Sequence, residues 1–368
     1  MNVLLLSFDP YILDKTSESY DRMTRYSHDV DMLGVIVLSR LDADVQNHGP
    51  FLATGFSGNP IRRLIRAYKT LDRWVVQYKV DIISSQEPFE SGCIAWLVAR
   101  KHNIKFEVQL HGDFYGNSFW KKQSLKNRFR AVLGLYIARR AHGIRVVSER
   151  IKKSLVSLAV KEKNISVIPV GAQTNLRQYQ STEEGKPFTV LVVSRLTPEK
   201  NVTLMTRAMP YIKGGIPHAQ CMVVGDGPQK VEVMASAKSL GIAESVHLHG
   251  YRKNLDHYYA LADVVVIPSY TEGWGRVVIE AMSCNKPIVM TDVGVAGEII
   301  NDGKNGLIVP INDAGALAEA VIKLYKNPTL AQRIATQARA DFEKLPSSQE
   351  TQKNMIDAWK LMLKPEHA

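Results

Sequence analysis

Apolar and polar positions alternate along the chain on two scales. Short apolar runs rich in β-branched residues recur between longer segments with a helical period of apolar residues. Continuous apolar runs separated by helices predict buried parallel strands covered by helices on both faces. The runs of the first half are residues 2–6, 34–38, 80–84, 105–110, 143–148 and 165–170, and those of the second half are 189–194, 220–225, 245–250, 263–268 and 287–291. Two series of runs predict two doubly wound α/β units.

A polar stretch between the two series marks the predicted domain boundary. The segment "GAQTNLRQYQSTEEGKP" is almost devoid of apolar periodicity, as is typical of a connection. We therefore predict a first domain over residues 1–175, a linker over 176–187 and a second domain over 188–346. The length of 368 residues agrees with two domains, because one hydrophobic core rarely grows beyond about 250–300 residues.

The last segment, residues 347–368, is predicted to contain a helix that packs back across the domain boundary. Ser347 and Glu350 have the spacing of a capping box. The apolar residues that follow lie on one helical face: Met355, Ile356, Trp359, Met362 and Leu363.

The cysteines and the apolar segments indicate a cytoplasmic protein. Cys93, Cys221 and Cys284 are odd in number and scattered, which favours neither a disulfide framework nor a zinc site. The start "MNVLLLSFDP" has no basic leader, and no apolar stretch approaches the roughly 18–20 residues of a membrane span.

The positive charge lies almost entirely in the first half. The net charge is +11; residues 1–175 hold 26 Lys and Arg against 16 Asp and Glu, a balance of +10, whereas the remainder holds 21 against 20. Such a field indicates an anionic partner: nucleic acid, a membrane surface or a phosphorylated substrate.

Two basic amphipathic segments within this half favour an anionic membrane surface. Residues 59–74 set Ile61, Leu64, Ile65, Tyr68 and Leu71 on one stripe. Residues 117–140 combine Phe119, Trp120 and Phe129 with the cations Lys121, Lys122, Lys126, Arg128 and Arg130. Helices of this kind can lie in a lipid interface. The alternative is that the stripes pack on the first sheet and the cations are solvated. Nucleic acid is a poorer partner, because no binding motif is present.

Candidate chemistry lies in the second half, where loops follow predicted strands. Ligands of such folds bind beyond the carboxyl ends of the strands. In "YTEGWGRVVIEAM", Gly273 and Gly275 precede a predicted helix whose amino terminus can seat a phosphate. Glu272 and Glu280 are eight residues apart, about 12 Å along a helix, which is too far for the carboxylate pair of a glycosidase. Each glutamate is therefore predicted to bind a different part of an extended ligand.

Two further loops carry charge and glycine. "SRLTPEKN" places Arg195 and Lys200 after the first strand of the second unit, where two cations can neutralise a diphosphate without a metal. "GDGP" (225–228) is a tight glycine-rich turn, which alone is weak evidence for a ligand. It lacks the spacing of a dinucleotide fingerprint, so NAD binding is disfavoured.

These loops, together with "HLHGY" and "TDVGVAGEII…DGKNGLIVP", resemble the donor-binding half of the retaining glycosyltransferases of family 4, which have the GT-B fold and a Glu-x7-Glu signature. The resemblance is specific over about residues 165–312. It implies that Arg195 and Lys200 hold the donor diphosphate, that Glu272 contacts the transferred sugar, and that Glu280 holds the ribose. It further assigns Gly273, Trp274, Gly275 and Arg276 to the diphosphate, and Gly225, Asp226, Gly227, Gly250 and Tyr251 to the nucleotide pocket.

The first half is less similar to the family. In "VQLHGDFYG", His111 resembles the histidine that lies near the sugar and the bond being broken; as a lone histidine it has an equally good structural interpretation. The family's Gly-Gly turn after the first strand is replaced by "SFDPYILDK", and two of its glycines are replaced by Ser194 and Asn201.

The resemblance implies a retaining glycosyltransferase that needs neither a metal nor a cofactor. It is expected to act on a glycan or lipid-linked acceptor, in cell-surface polysaccharide or glycolipid biosynthesis. Its expected location is the inner face of the cell membrane. A sugar-nucleotide epimerase and a non-catalytic sugar-nucleotide-binding subunit are the alternatives. The Asp-x-Asp sequences at residues 29–31 and 42–44 mimic a metal motif of another glycosyltransferase fold, and local chemistry favours solvated turns there.

Overall fold

The computed structural model describes residues 1–39, 42–47, 51–172, 176 and 185–364. The chain divides into two compact units, one formed by Met1–Gly171 with Ser348–Ala368 and the other by Ala172–Ser347. Most of the predicted linker, residues 177–184, lies outside the described residues.

The first unit is built on one eight-stranded sheet with the strand order β3-β4-β2-β1-β5-β6-β7-β8. The strands are β1 (Asn2–Ser7), β2 (Met32–Leu38), β3 (Ala43–Asn47), β4 (Phe51–Phe56), β5 (Ile82–Ser85), β6 (Lys105–Leu110), β7 (Gly143–Val146) and β8 (Ile165–Val167). Neighbouring strands run parallel except β3 and β4, which are antiparallel. The connecting helices are α1 (Glu18–Ser27), α2 (Pro60–Gln77), α3 (Glu90–His102), α4 (Phe119–Lys122), α5 (Leu125–Ala138) and α6 (Glu149–Ser157).

The sequence pattern did not reveal β3 and β4. Strand β4 is buried throughout, but its run "FLATGF" is interrupted by Thr54 and Gly55 and therefore lacks a clear apolar signal. Strand β3, "ADVQN", lies at the edge of the sheet, where pairing on one side tolerates polar residues.

The second unit contains a six-stranded parallel sheet with the order β11-β10-β9-β12-β13-β14. Its strands are β9 (Thr189–Val193), β10 (Gln220–Val224), β11 (Val246–Gly250), β12 (Val264–Ile267), β13 (Ile288–Thr291) and β14 (Leu307–Val309). Its helices are α7 (Val202–Gly215), α8 (Lys230–Ser239), α9 (Asp256–Leu261), α10 (Arg276–Ser283), α11 (Ala314–Lys326) and α12 (Pro328–Phe342). Of these strands, β14 was not predicted. The two α/β units confirm the predicted fold class.

The last helix, α13 (Ser348–Leu363), returns to the first unit. Its residues Met355, Ile356 and Trp359 are buried in one apolar cluster with residues of β1, β2 and α1, including Val3 and Met23. The helix therefore completes a core that began at the first strand. No helix among the described residues is long and apolar enough to cross a membrane.

Candidate functional site

Three loops at the carboxyl edge of the second sheet are bound to one another through their backbones. Leu196 N–H donates to the carbonyl of Asp226 at 2.9 Å, and Gly225 N–H donates to that of Gly250 at the same distance. A Cβ on Gly225 would lie 1.8 Å from the carbonyl oxygen of Ser194, so only glycine permits this approach. The structure thus brings together the loops after β9, β10 and β11.

Lys200 and Glu272 form a close charged contact at this edge. Lys200 Nζ lies 2.6 Å from Glu272 Oε1, and the Ser269 hydroxyl donates to the same oxygen at 2.8 Å. The two charged side chains are only 19% and 10% exposed. Because solvent screens such a pair poorly, the lysine and the serine together orient the carboxylate. The residues are 72 positions apart in sequence but follow adjacent strands, β9 and β12.

Arg195 is held much less firmly. Its Nη2 atom lies 3.3 Å from Glu199 Oε1, and its side chain is 74% exposed. The same glutamate oxygen accepts a hydrogen bond from Thr197 at 2.7 Å. An exposed ion pair of this kind contributes little to stability. Breaking the contact with Glu199 so that Arg195 can bind an anionic ligand therefore costs little free energy.

Glu280 is oriented by a buried tyrosine. The carboxylate follows the first turn of α10, and its Oε2 accepts a hydrogen bond from Tyr259 Oη at 2.9 Å. Burial raises the pKa of Tyr259 far above its usual range, and the carboxylate of Glu280 adds to this shift. The phenol therefore remains protonated and donates to the glutamate throughout the physiological pH range.

The segment before α10 has the backbone geometry of a helix amino terminus. Gly275 precedes the first helical residue with a φ of 81°. Trp274 is buried, with 6% of its surface exposed, so its indole belongs to the core of the loop, whereas Arg276 is exposed. The amides at the start of α10 make this end of the helix favourable for an anion.

Asn201 explains one departure from the family pattern. It caps α7 with a φ of 47° and a ψ of 43°. This is the left-handed region, which glycine adopts without steric strain and which asparagine tolerates better than most other residues. The site keeps its backbone geometry although glycine is absent.

His111 lies in the first unit, directly after β6. Its Nε2 is 3.1 Å from Gln109 Oε1. Desolvation among surrounding protein atoms lowers the pKa of His111, although part of the residue's surface is open to solvent, and the positive charges of Arg145 and Arg22 lower it further. The imidazole is therefore neutral at physiological pH.

Three aspartates of the two Asp-x-Asp sequences contact other protein groups. Asp31 binds the amino terminus of the chain, Asp29 accepts from Gln352, and Asp42 pairs with Arg66 at 2.8 Å. Residues 29–31 lie in a turn, as expected, whereas the expectation of a turn at residues 42–44 is wrong, because strand β3 begins at Ala43.

Tyr259, Ser269 and Glu199 were missed by the sequence reasoning. Ser269 follows strand β12 at the edge where ligands of such folds bind. This position after a predicted strand could have identified it as a candidate site residue. Tyr259 lies on the short helix α9, and nothing in its sequence neighbourhood indicates a contact with Glu280.

Comparisons with known proteins identify the family. Residues 20–176 match the model of Glycosyltransferase Family 4, and residues 174–341 match that of Glycosyl transferases group 1. Together they span most of both units. The chain belongs to the group 1 and family 4 glycosyltransferases, and it is an enzyme of the GT-B fold, as its motifs indicated.

Individual relatives extend this picture. An uncharacterized glycosyltransferase of Methanocaldococcus jannaschii is 29% identical over 275 residues, 73% of this chain and 72% of that protein. The GDP-mannose-dependent alpha-(1-6)-phosphatidylinositol monomannoside mannosyltransferase of Mycolicibacterium smegmatis is 33% identical over 159 residues, 41% of this chain and 42% of that protein. The crystal structure of Anabaena HepE in complex with UDP-glucose matches with a TM-score of 0.76 at 19% identity, over 98% of this chain and 100% of that one.

Proposed function

We propose that the chain transfers a sugar from a nucleoside diphosphate sugar to a glycan or lipid-linked acceptor, with retention of configuration at the anomeric carbon and without a metal ion. The reaction would serve cell-surface polysaccharide or glycolipid biosynthesis. The observation that carries the proposal is the Lys200–Glu272 contact, because a cation beside a carboxylate suits a ligand that has both phosphate and hydroxyl groups. A GDP-mannose-dependent relative and a neighbour that binds UDP-glucose support a nucleotide-sugar donor.

The cations and the helix supply the electrostatic part of catalysis. Negative charge grows on the diphosphate as the bond to the sugar breaks. Lys200 and the amino terminus of α10 would stabilise that charge from fixed positions, which is more effective than recruiting solvent, and the exposed Arg195 would add its charge on leaving Glu199. Oε1 of Glu272 accepts hydrogen bonds from Lys200 and Ser269. Its Oε2 would accept a hydrogen bond from a hydroxyl of the sugar.

Glu280 would bind the ribose. A carboxylate can accept from two neighbouring hydroxyls, and the hydrogen bond from Tyr259 fixes its direction. His111, neutral at physiological pH, would act near the reaction centre as a hydrogen-bonding group.

Calorimetry with the free nucleoside diphosphate tests the donor site. Glu280→Gln and Arg195→Ala should each weaken binding about tenfold or more, since each removes a charge-assisted hydrogen bond worth about 1.5–3 kcal/mol. Lys323→Ala, which removes an exposed cation of α11, is the matched control and should bind normally. Unchanged affinity in both site variants would contradict the proposed donor site.

Turnover separates the sugar-binding residues from the nucleotide-binding ones. Glu272→Ala and His111→Ala should lower kcat by about 100-fold while the diphosphate affinity stays within about twofold, because they contact the transferred sugar and reaction centre. Normal turnover in either variant would refute that residue's role. Product analysis covers the alternatives: an altered nucleotide sugar instead of a glycoside would indicate an epimerase, and no product would favour a binding subunit.

We also propose that the first unit docks on an anionic membrane surface through α5. Leu125, Phe129, Val132 and Tyr136 form a stripe along one side of this helix and are 79%, 68%, 71% and 43% exposed. The cations Lys126 and Arg128 lie on the same helix and are also exposed. An apolar stripe flanked by cations complements an anionic lipid interface.

Only the first turns of helix α2 expose the apolar stripe predicted for it. Ile61 and Ile65 are 68% and 49% exposed, whereas Leu71 of the same predicted stripe is buried with Trp74. Trp120 stacks on Phe89 with ring centroids 5.1 Å apart, so it belongs to an internal aromatic cluster rather than to the membrane-facing stripe.

A further inference from the structure

A row of polar side chains lies beneath His111 in the first sheet. Residues 107, 109 and 111 alternate along β6 and its end, so they share one face of the sheet. Glu107 and Gln109 are 2% and 3% exposed. Their neighbours in register are Ser84 on β5 and Arg145 on β7. Buried polar groups in such a position need partners, and the row supplies them to one another.

The carboxylate of Glu107 is the anchor of the row. Its Oε2 accepts hydrogen bonds from the Ser84 hydroxyl, from Gln109 Nε2 at 3.3 Å and from Trp359 Nε1 at 2.9 Å. Burial raises the pKa of Glu107, and these donors and the charge of Arg145 oppose that shift. In either protonation state Oε2 is an acceptor toward Gln109.

The orientation of the Gln109 amide is decided from both sides. Its nitrogen donates to Glu107 and, at 3.0 Å, to Ser84 Oγ. Its oxygen accepts from Arg145 Nη1 at 3.2 Å. A reversed amide would point oxygen at the carboxylate and N–H groups at the guanidinium, which loses the hydrogen bonds on both sides. Arg145 is itself held by the carbonyls of Ile168 and Pro169.

We propose that Gln109 is a positioning residue that holds neutral His111 in the tautomer protonated at Nε2, so that Nδ1 accepts a hydrogen bond from a hydroxyl of the bound substrate. Gln109 Oε1 lies 3.1 Å from His111 Nε2 and can only accept, so the imidazole must donate from that nitrogen. In a neutral ring the other nitrogen is then an acceptor. The predicted tautomer does not depend on the proposed function, whereas the predicted effect of Gln109 on turnover rests on the proposed role of His111.

Nuclear magnetic resonance of the ¹⁵N-histidine-labelled protein at neutral pH tests the tautomer without any substrate. The His111 signals are assigned by their loss in His111→Ala. The wild-type protein should show a protonated Nε2 and an unprotonated Nδ1. A protonated Nδ1 in the wild-type protein would overturn the proposal.

Variants of the row separate positioning from structure. In Gln109→Leu the acceptor is lost, so the two tautomers should become mixed and kcat should fall about tenfold, with the KM for the donor changed less than about twofold. Ser84→Ala is the matched control, because it disturbs the same buried row but leaves Gln109 Oε1 and its partners Arg145 and His111 in place; its tautomer should be that of the wild type. An unchanged tautomer in folded Gln109→Leu would refute the role of Gln109.

Failure of the proposed function gives a different pattern. If His111 does not act in the reaction, His111→Ala turns over normally while the tautomer in the wild-type protein is still the one protonated at Nε2. A loss of turnover in His111→Ala together with the opposite tautomer would retain the function and overturn the inference.

Discussion

Single residues of this site are placed by backbone geometry as much as by their own chemistry. Gly294, in the loop after β13, has a φ of 56°, and a Cβ there would lie 2.7 Å from the Cβ of Glu272. The position of the Glu272 carboxylate therefore depends on the lack of a side chain at position 294. Asn201 illustrates the same dependence, because its left-handed backbone admits asparagine in place of glycine.

Gly294→Ala should reduce turnover by displacing Glu272. Gly297→Ala is the control, since Gly297 also has a positive φ, of 77°, but a Cβ there meets nothing within 4 Å. Both variants should lose about 1 kcal/mol of stability from the left-handed backbone. Only Gly294→Ala should also lower kcat. Equal kinetics in the two variants would show that the contact with Glu272 is unimportant.

Glu87, after β5, predicts a pH dependence of stability. Burial raises its pKa from 4.5 to about 7, and the charge of Glu90 adds to this shift. The folded state thus keeps a proton that the unfolded state releases, so stability falls as the pH rises from about 4.5 to about 7.

Glu87→Gln removes this penalty. It should stabilise the first unit by up to about 3 kcal/mol at pH 8 and by little at pH 5, as measured by chemical denaturation at both pH values. Glu162→Gln, at a surface ion pair with Lys152, should change little at either pH. A gain that is equal at pH 5 and pH 8 would argue against an elevated pKa.

At the scale of elements, α13 joins the end of the chain to its beginning. Trp359 is fully buried, makes an edge-to-face contact with Tyr26 of α1 and donates to Glu107 of β6. The helix thus covers the sheet face that carries the polar row. Its contribution is both apolar burial and one hydrogen bond to a buried carboxylate.

Trp359→Ala should destabilise the first unit by about 3–5 kcal/mol. Trp359→Phe keeps most of the packing but leaves Glu107 without one donor, so a smaller loss of about 1–3 kcal/mol is expected. Leu361→Ala, on the exposed side of the same helix, should be nearly neutral. Denaturant unfolding measures all three, and a neutral Trp359→Ala would show that α13 is dispensable for this core.

At the scale of the whole molecule, the net positive charge is concentrated in the first half of the chain. Residues 1–175 carry a balance of +10 against +1 for the remainder, and the α5 stripe lies in that half. The proposed donor site lies in the second unit, where the charges nearly cancel. Attraction to an anionic surface and recognition of the donor are thus assigned to different units.

Sedimentation with vesicles tests docking. The protein should bind vesicles that contain anionic lipid, less at high salt because added ions screen the attraction. The double variant Phe129→Ser, Val132→Ser should bind several-fold more weakly. Val231→Ser is the control, because Val231 is 77% exposed on α8 of the second unit. Absence of binding at low salt, or equal loss in the control, would refute docking through α5.

The sequence by itself determined the architecture and the residue types of the candidate site. Short apolar runs rich in β-branched residues, separated by helical segments, predict buried parallel strands, and the loops after them collect at one edge of the sheet. For this reason Arg195, Lys200, Glu272 and Glu280 could be chosen from a single sequence.

Only the tertiary structure decided which of these groups meet. Lys200 reaches Glu272 because β9 and β12 are neighbours in the sheet, an order that no local pattern specifies. Trp359 reaches Glu107 across 252 positions for a similar reason. Local periodicity reports whether a segment is buried and in which conformation, whereas the pairing of distant side chains follows from strand order and packing, which depend on the whole chain at once.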